Sequence, residues 1–359
     1  MRSERKSPGR PGTQEPNALA ALSGGVDSAV AALIAIDAGF RPIGVTLLFP
    51  GVSAEPARDV CRTLGIAHRV IEAREAFERC VVREFIHDWA RGLTPNPCVE
   101  CNPRIKFDLL LAEADALGCR TIVSGHYARV HATGDQWHLL RGADRSRDQS
   151  YMLHRMPQAV LERLMLPLGE LSKQEVRALA SKAHLSAADR PDSQDVCFAP
   201  EGDFTALIGE ARPEALEPGP ILDEHGRELG RHRGLVNYTV GQRRGLGIGG
   251  PEGPYFVLRI DPARNAIIAG AEEDLWVERT EVERLHLIGD VPEGEFEATV
   301  MTRYRGAETS ATVVPEGDGA IIRFHSPHRA PAPGQSAVFY DGERCLGGGV
   351  IMCGGGPLV

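Results

Sequence analysis

Hydrophobic and polar positions follow two different rhythms in the N-terminal part of the chain. Short apolar runs at Ala18–Leu22, Pro42–Phe49, Ala67–Ile71 and Arg120–Ser124 have the length of buried strands. Between these runs, apolar residues recur three or four positions apart, most extensively over Arg74–Ala90. Strands that alternate with helices form a parallel sheet covered by helices, so the pattern predicts an α/β domain.

The rhythm changes from about Pro213 onward. Short alternating runs separated by Gly, Pro and Asp replace the helical periodicity. The runs that fit strands include Phe296–Tyr304, Ala311–Val314, Ala320–Phe324, Ser336–Tyr340 and Gly349–Met352. Regular spacing of this kind predicts a small β-barrel or sandwich.

These two patterns and the polar N-terminus predict the domain organisation. Residues 1–16 carry Arg, Lys, Pro and Gly and are expected to form a disordered extension, not a signal peptide or a membrane anchor. We expect a catalytic α/β domain over residues 17–210, a small central β-rich domain over 211–278 and a C-terminal β-barrel over 279–359.

Composition narrows the class of protein. The 359 residues are 42% hydrophobic and 25% charged, which is typical of a soluble globular protein. Eight cysteines without a secretory signal favour reduced thiols, a cytoplasmic location and, at most, a transient disulfide. A net charge of −9 excludes a surface that is basic all over, but it leaves room for a local arginine cluster that binds nucleic acid.

One glycine turn joins the first predicted strand to the first helix. Its sequence is Ser23-Gly24-Gly25-Val26-Asp27-Ser28. Adjacent glycines bring backbone N–H groups close to a ligand, and the positive end of the following helix favours an anion, which predicts a phosphate site. The chain has no Gly-x-x-x-x-Gly-Lys-Ser/Thr, so this is not the lysine-bearing loop of ordinary ATPases.

A Pro-rich segment, Gly92–Pro103, carries the pair Cys98-x-x-Cys101. The pair fits half of a metal or iron–sulfur site, a redox dithiol, one nucleophile with a neighbour, or two buried thiols. The other cysteines are isolated, which argues against a four-cysteine zinc site, whereas a set of Cys98, Cys101 and Cys197 leaves an iron–sulfur cluster open.

The same segment predicts how Cys101 is activated. Asn102 suits a helix cap and Pro103 a first helical turn, so we expect a helix over Arg104–Leu117. Both cysteines would then lie just ahead of a helix N-terminus. Together with Arg104 and Lys106, this position predicts a lowered pKa for the Cys101 thiol.

A third candidate, Gly245–Gly250, contains Gly-x-Gly-x-x-Gly but is followed by prolines instead of a helix. It therefore fails the context test for a dinucleotide site. Preceded by Arg243 and Arg244, it fits a glycine-rich track along phosphates better.

Taken together, the motifs resemble a known family. The loop resembles that of the N-type ATP pyrophosphatases, and the ordered set resembles the bacterial tRNA-specific 2-thiouridylases from about Ala18 to the end. The motifs that carry this resemblance are Ser23–Ser28, Thr94–Asn102, Ser124–Tyr127, Asp148–Tyr151, Asp192–Phe198 and Gly241–Gly247. The implied fold is an adenine-nucleotide α-hydrolase-like (PP-loop) domain followed by the two β domains.

The resemblance also implies roles for individual residues. It implies Cys101 as nucleophile, Cys197 as the cysteine that receives sulfur as a persulfide, and Asn96, Pro97 and Cys98 as the segment that meets the target base. The implied ATP site comprises Ala21, Leu22, Ser23, Gly24, Gly25, Val26, Asp27, Ser28, Leu47 and Gly125. The implied tRNA contacts are Arg147, Asp148, Gln149, Arg303 and Tyr304, to which the basic turn adds Arg243 and Arg244.

The chemistry of thiolation gives these residues an order of use. Uracil C2 is a poor electrophile, so ATP would first adenylate its oxygen, with Mg²⁺ and Asp27 at the departing pyrophosphate. A sulfur nucleophile then attacks, and a Cys101–Cys197 disulfide remains to be reduced. The expected partners are a tRNA with a wobble uridine and a persulfide donor, either a cysteine desulfurase or a relay protein, with no membrane involved.

Two other classes of protein share part of this pattern. An ATP-dependent ligase or amidotransferase would use the loop but needs no thiol pair. A non-catalytic RNA-binding module would leave the loop unexplained. Absence of tRNA-dependent AMP formation would favour the RNA-binding module.

Overall fold

The computed structural model describes residues 17–188, 190, 196–199, 204–249 and 253–353. The predicted N-terminal extension, most of the Asp192–Phe198 motif and the end of the Gly245–Gly250 run therefore lie outside the described residues. No helix in these ranges is both long and apolar enough to cross a membrane.

A five-stranded parallel sheet forms the centre of the N-terminal domain, as the alternating pattern predicts. Its order is β3-β2-β1-β4-β7, where the strands are β1 (Ala18–Ala21), β2 (Pro42–Leu48), β3 (His68–Glu72), β4 (Thr121–Val123) and β7 (Leu164–Met165). Strand β1 pairs in parallel with both β2 and β4. The loops that follow β1 and β4 therefore lie side by side at the carboxyl edge, where α/β proteins bind their ligands.

Two long helices of this domain each contain a π-helical turn. Helix α3 comprises Arg74–Phe77, the π-turn Glu78–Val82 and Arg83–Ala90; helix α4 comprises Pro97–Cys101, the π-turn Asn102–Lys106 and Phe107–Ala116. The other helices are α1 (Val26–Asp37), α2 (Glu55–Leu64), α5 (Ser150–Leu153), α6 (Gln158–Leu161), α7 (Lys173–Lys182) and α8 (Phe204–Ala211). Single π-turns of this kind are frequent at functional sites.

The prediction that a helix begins at Arg104 is wrong. Helix α4 begins at Pro97, and Asn96 caps it by accepting a hydrogen bond from the Cys98 N–H at 3.2 Å. Asn102 lies inside the helix, 2% exposed, and its side-chain amide donates to the Met152 carbonyl oxygen at 2.9 Å. Cys98 therefore lies in the first helical turn and Cys101 at the junction with the π-turn.

The two predicted β domains are confirmed. The central domain contains a four-stranded sheet in the order β10-β11-β8-β9, formed by β8 (Gly219–Leu222), β9 (Glu228–His232), β10 (Phe256–Asp261) and β11 (Ala266–Gly270). The C-terminal domain closes into a six-stranded barrel because β12 pairs with both β15 and β17. Its strands are β12 (Trp276–Leu287), β13 (Phe296–Met301), β14 (Glu308–Glu316), β15 (Gly319–Arg329), β16 (Ser336–Asp341) and β17 (Arg344–Ile351).

A hairpin that follows β4 belongs to the barrel sheet. Strands β5 (Ala128–Thr133) and β6 (Gln136–Arg141) follow β4 along the chain but are not part of the parallel sheet. Strand β6 pairs with β17 through Leu139 and Leu140. Arg141 of this hairpin is 2% exposed, lies 3.4 Å from the centre of the Tyr340 ring and pairs with Glu308 at 2.8 Å. A hairpin of the N-terminal domain thus extends the sheet of the barrel, while the parallel sheet remains separate.

Candidate active site at the carboxyl edge of the parallel sheet

The glycine turn between β1 and α1 is held mainly by its own residues. The Ser28 hydroxyl donates to the Gly25 carbonyl oxygen at 3.0 Å and accepts from the Ser23 N–H at 3.2 Å. Gly24 has φ +82°, and a Cβ there would lie 2.4 Å from the Pro56 Cβ. Only glycine fits this position without strain, so the turn can pack closely against α2.

Asp27, in the first turn of α1, is bound on both carboxylate oxygens. Lys173, at the start of α7, donates to these oxygens at 2.7 and 2.8 Å, and the Tyr127 hydroxyl donates at 2.8 Å. The side chain of Lys173 is 10% exposed and that of Asp27 is 33% exposed. Neither Lys173 nor Tyr127 was predicted as a site residue. Tyr127 ends the motif Ser124–Tyr127, and the one local signal at Lys173 is that it follows the capping residue Ser172.

Gly125 brings the end of β4 against this turn. A Cβ on Gly125 would lie 2.7 Å from the Asp27 carbonyl carbon and from the Ser28 nitrogen. Leu47, another predicted nucleotide residue, is buried in β2. Arg190 donates to the Gly24 carbonyl oxygen at 3.1 Å and adds a cation that was not predicted.

These residues fit a nucleotide with its metal. The turn offers the N-terminus of α1 to a phosphate, and Lys173 and Arg190 supply positive charge beside it. Asp27 is the carboxylate that would hold a Mg²⁺ ion bound with the phosphates, where the metal would neutralise their charge.

His126, at the same edge of the sheet, contacts helix α4, which carries Cys98 and Cys101 and is called the cysteine helix. His126 follows Gly125; its Nδ1 lies 2.7 Å from the Ser124 hydroxyl, and its ring lies 5.8 Å from that of Phe107 in α4. Burial, followed by the nearby charge of Lys106, lowers the pKa of His126 well below its usual value. The imidazole is therefore neutral at pH 7 and forms the contact between the two halves of the site.

The prediction of a low pKa for Cys101 is wrong. Burial raises the pKa of this thiol to about 12, and the Lys106 charge offsets only part of the effect. The helix start that was expected to favour a thiolate lies at Pro97 instead, and Arg104 is paired with Glu84 at 2.5 and 2.8 Å. Cys101, the nucleophile predicted from the sequence, is therefore protonated at pH 7.

Cys197 lies near Cys98 and Cys101. Both Cys98 and Cys197 are exposed, yet the protein around them removes enough water to raise the pKa of both, that of Cys197 to about 11. Each of the three thiols is close enough to another for their charges to interact. The ring of Phe198 packs 5.7 Å from that of Phe77 and 5.2 Å from that of Phe85, which fixes Cys197 beside α3.

An iron–sulfur cluster does not fit these thiols as they are placed. Within the described ranges, no group of three or more His, Cys, Asp or Glu side chains is arranged to hold a metal ion. All eight cysteines are free thiols. The arrangement suits sulfur exchange between neighbouring thiols better than ligation of a cluster.

The two β domains hold the loop that precedes the cysteine helix. The Thr94 N–H donates to the Pro333 carbonyl oxygen, and the Gln335 side-chain amide donates to the Thr94 carbonyl oxygen, both at 2.7 Å. The Thr94 hydroxyl donates to that of Thr239 at 3.3 Å. The position of Asn96, Pro97 and Cys98 thus depends on contacts from all three parts of the chain.

The residues predicted to contact tRNA divide into buried and exposed groups. Asp148 is 8% exposed and accepts hydrogen bonds from the backbone of Gly142 and Ser150 at 2.8 and 3.0 Å. Gln149 exchanges two hydrogen bonds with the Tyr127 backbone, at 2.7 and 2.9 Å, and so supports the tyrosine that binds Asp27. Arg147 is half-buried.

The other predicted tRNA residues lie in turns. Arg243 and Arg244 are exposed in the turn before β10, and Arg303 is exposed in the turn after β13. Tyr304 does not continue β13 as expected, because that strand ends at Met301. Its ring lies 5.8 Å from that of Tyr151 in the α/β domain. This second turn therefore lies where the barrel meets the catalytic domain.

Comparisons with known proteins agree with this architecture. Family profiles match residues 17–201 (tRNA methyl transferase HUP domain), 206–271 (tRNA methyl transferase PRC-barrel domain) and 277–351 (aminomethyltransferase beta-barrel domain). Among solved structures, a 4-thiouridine synthetase–RNA complex with bound ATP is 17% identical, with a TM-score of 0.36; the match covers 55% of this chain and 51% of that one.

Relatives of known family cover nearly the whole chain. The tRNA-specific 2-thiouridylase MnmA of Chloroflexus aggregans is 47% identical over 93% of this chain and 98% of its own length. The MnmA proteins of Roseiflexus castenholzii and Acidithiobacillus ferrooxidans are 45% and 44% identical over 93% and 94% of this chain, and over 98% and 99% of their own lengths. The resemblance noted in the sequence is thereby confirmed, and the chain belongs to the tRNA-specific 2-thiouridylase MnmA family.

Proposed function

We propose that this enzyme uses ATP to place sulfur on C2 of the wobble uridine of tRNA. The observation that carries the proposal is the contact from the phosphate-type turn to the cysteine helix. Gly125 touches Asp27 and Ser28, and the next residue, His126, packs on Phe107 of the cysteine helix. A uracil placed at this edge can therefore be activated at O2 from the side of the turn and attacked at C2 by sulfur from the side of the cysteine helix.

The first step is transfer of AMP to uracil O2. The uracil oxygen attacks the α-phosphorus of ATP, the bond to the β-phosphate breaks, and pyrophosphate leaves. The N–H groups at the start of α1, with Lys173 and Arg190, stabilise the departing charge. The products are pyrophosphate and a uracil whose C2 now carries AMP as a leaving group.

The second step delivers sulfur from a persulfide on Cys197. In one route the terminal persulfide sulfur attacks C2 and displaces AMP. The Cys101 thiolate then attacks the Cys197 sulfur, which breaks the sulfur–sulfur bond and leaves 2-thiouridine. In the other route Cys101 first releases hydrosulfide, which attacks C2. Both routes end in a Cys101–Cys197 disulfide that takes two electrons from a reductant, so we place the enzyme in the reducing cytoplasm.

The exposed arginines form the proposed tRNA surface. Arg243, Arg244 and Arg303 point positive charge to solvent from two turns, which suits contacts with phosphates of the anticodon stem. The target base leaves its stack to reach a segment formed by Asn96, Pro97 and Cys98. A persulfide donor protein then has access to Cys197, which is exposed.

A reconstituted reaction tests this function. Unmodified tRNA with a wobble uridine is incubated with ATP, Mg²⁺ and a persulfide source; nucleosides are measured by mass spectrometry and AMP by chromatography. We expect 2-thiouridine with the wild type and with Cys353→Ser, an exposed thiol that serves as the control. Cys101→Ser and Cys197→Ser should form none, whereas Cys197→Ser should still form AMP. Full thiolation by both variants would refute the proposal.

A further inference from the structure

Three arginine side chains converge on one glutamate, Glu100, which lies between the two cysteines of the cysteine helix. Arg104, four residues further along the same helix, lies 3.4 Å from one oxygen of its carboxylate. The other oxygen accepts a hydrogen bond from Arg155 and lies 3.5 Å from a guanidinium nitrogen of Arg284. A single side chain of the cysteine helix therefore meets guanidinium groups from three places in the chain.

These ion pairs join the cysteine helix to its surroundings at one level. Arg155 lies just after α5, Arg284 belongs to β12 of the barrel, and Glu84 of α3 pairs with Arg104 at 2.5 and 2.8 Å. Only 16% of the Glu100 side chain and 19% of the Arg155 side chain are exposed, so water and salt screen their attraction less than that of a surface pair. The cysteine helix is thus held by charges from the catalytic domain and from the barrel.

The backbone of the barrel is distorted at the arginine that reaches Glu100. Arg284 has φ +52°, a left-handed conformation that residues other than glycine rarely adopt. It lies in a β-bulge: Glu283 pairs with Val350 and His286 with Gly348, so two residues of β12 oppose one of β17. Bulges next to active sites redirect a side chain, and strain of this kind persists where the surrounding contacts require it. The bulge therefore directs Arg284 toward the cysteine helix.

We propose that Glu100 is a positioning residue for sulfur transfer, and that Arg155 and Arg284 hold it in place. The inference rests on the proposed function. Successive residues of a helix point about 100° apart, so a contact that fixes the direction of residue 100 also fixes that of Cys101. Glu100 touches neither ATP nor uracil in this proposal and acts only by aiming the neighbouring thiol at the activated base.

The test is the number of 2-thiouridines formed for each AMP in the reconstituted reaction with saturating ATP and tRNA. When the thiol is badly aimed, water attacks C2 of the adenylated uracil instead, which restores uridine and releases AMP without thiolation. We expect Glu100→Gln to lower the ratio of 2-thiouridine to AMP about tenfold while AMP forms near the wild-type rate. A loss of folded protein would lower both products equally and leave this ratio unchanged.

A second variant removes the partner of Glu100 and relieves the strain. Glycine adopts φ +52° freely, so Arg284→Gly should unfold at no lower temperature than Arg284→Ala and yet have a lower ratio than the wild type. The double variant Glu100→Gln/Arg284→Gly should lose no more than Glu100→Gln alone, because both changes break the same contact.

Glu343 provides a matched control. It lies in the turn between β16 and β17 and also pairs with two arginines of the N-terminal domain, Arg129 at 2.6 Å and Arg145, but it is not part of the cysteine helix. Glu343→Gln should keep the wild-type ratio. A wild-type ratio in folded Glu100→Gln or Arg284→Gly, or an equal fall in Glu343→Gln, would overturn the inference. Failure of the proposed function is distinct, because the wild type would then make no 2-thiouridine.

Discussion

The two ends of the site differ in how they are built. At the nucleotide end, the hydrogen bonds between residues of the turn itself join positions at most five apart, from Ser23 to Ser28, although Lys173 and Arg190 reach the turn from distant parts of the chain. At the thiol end, Thr94 is held by the barrel and the central domain, and Asn102 is held by Met152. The backbone of the nucleotide turn is therefore held mainly by local contacts, whereas its cations and the position of the thiol end depend on distant parts of the chain.

The largest predicted effect breaks the nucleotide end alone. Asp27→Asn removes the charge that binds Lys173, and we expect the rate of AMP formation to fall about 10²- to 10³-fold, as is typical when a charge-stabilising group is lost. Thiol alkylation at Cys101 should not change. Tyr127→Phe, which removes one hydrogen bond to the same carboxylate, serves as the milder comparison. Equal losses of AMP formation and thiol reactivity would show that the two ends are not separable.

A paired glycine substitution tests how closely the turn packs. Gly24 and Gly39 both have positive φ, +82° and +89°, but a Cβ on Gly39 meets nothing within 4 Å. Both Ala variants should lose about 1 kcal/mol from backbone strain. Gly24→Ala should lose a further 1–3 kcal/mol, roughly, because its Cβ collides with Pro56. Denaturant unfolding measures both variants; equal losses would contradict the packing argument.

The thiol end can be loosened from the barrel. Gln335→Ala removes the hydrogen bond to the Thr94 carbonyl oxygen and should lower the rate of thiolation about tenfold, the equivalent of roughly 1.4 kcal/mol in positioning. AMP formation with saturating tRNA should change less, since the turn at Ser23 does not depend on this contact. A larger fall in AMP formation than in thiolation would reverse the comparison.

The last effect is a loss of stability in acid, which acts on folding and not on either chemical step. His154 follows the helix that supports Asn102, is fully buried, and has a pKa that burial lowers to about 3. In the unfolded chain His154 takes up a proton near pH 6.5, but in the folded protein it does so only near pH 3. The neutral His154 therefore contributes fully to stability above pH 6.5. As the pH falls toward 3, the free energy of unfolding decreases by up to about 1.4 kcal/mol per pH unit. Unfolding at pH 7 and 5 should therefore show a smaller difference for His154→Gln than for the wild type.

Features that depend on local sequence could be predicted. The glycine turn, the parallel strands and the barrel strands follow from residue type and spacing, and the structure confirms them. The prediction of where the cysteine helix begins was wrong because Asn96-Pro97 and Asn102-Pro103 carry the same capping signal. In the structure Asn96 caps the helix, whereas the side chain of Asn102 binds Met152, a partner fifty residues away that the local sequence does not reveal.

Charges that act across the fold were also beyond the sequence. Lys173 binds Asp27 from a position 146 residues along the chain, and nothing around Lys173 indicates this partner. The pKa of Cys101 was predicted with the wrong sign because burial is a property of the assembled domain. Local motifs identify which groups take part, and tertiary packing determines their protonation.

The hairpin that extends the barrel sheet has a consequence for how the chain folds during synthesis. Strand β6 of the first domain finds its outer neighbour in β17, which ends at Ile351. The N-terminal domain leaves the ribosome well before β17 is synthesised. During that interval the edge of β6 that later pairs with β17 is unpaired. We expect a chaperone to bind the nascent chain during this interval. A premature stop would leave a fragment with this exposed strand edge, which is prone to aggregate.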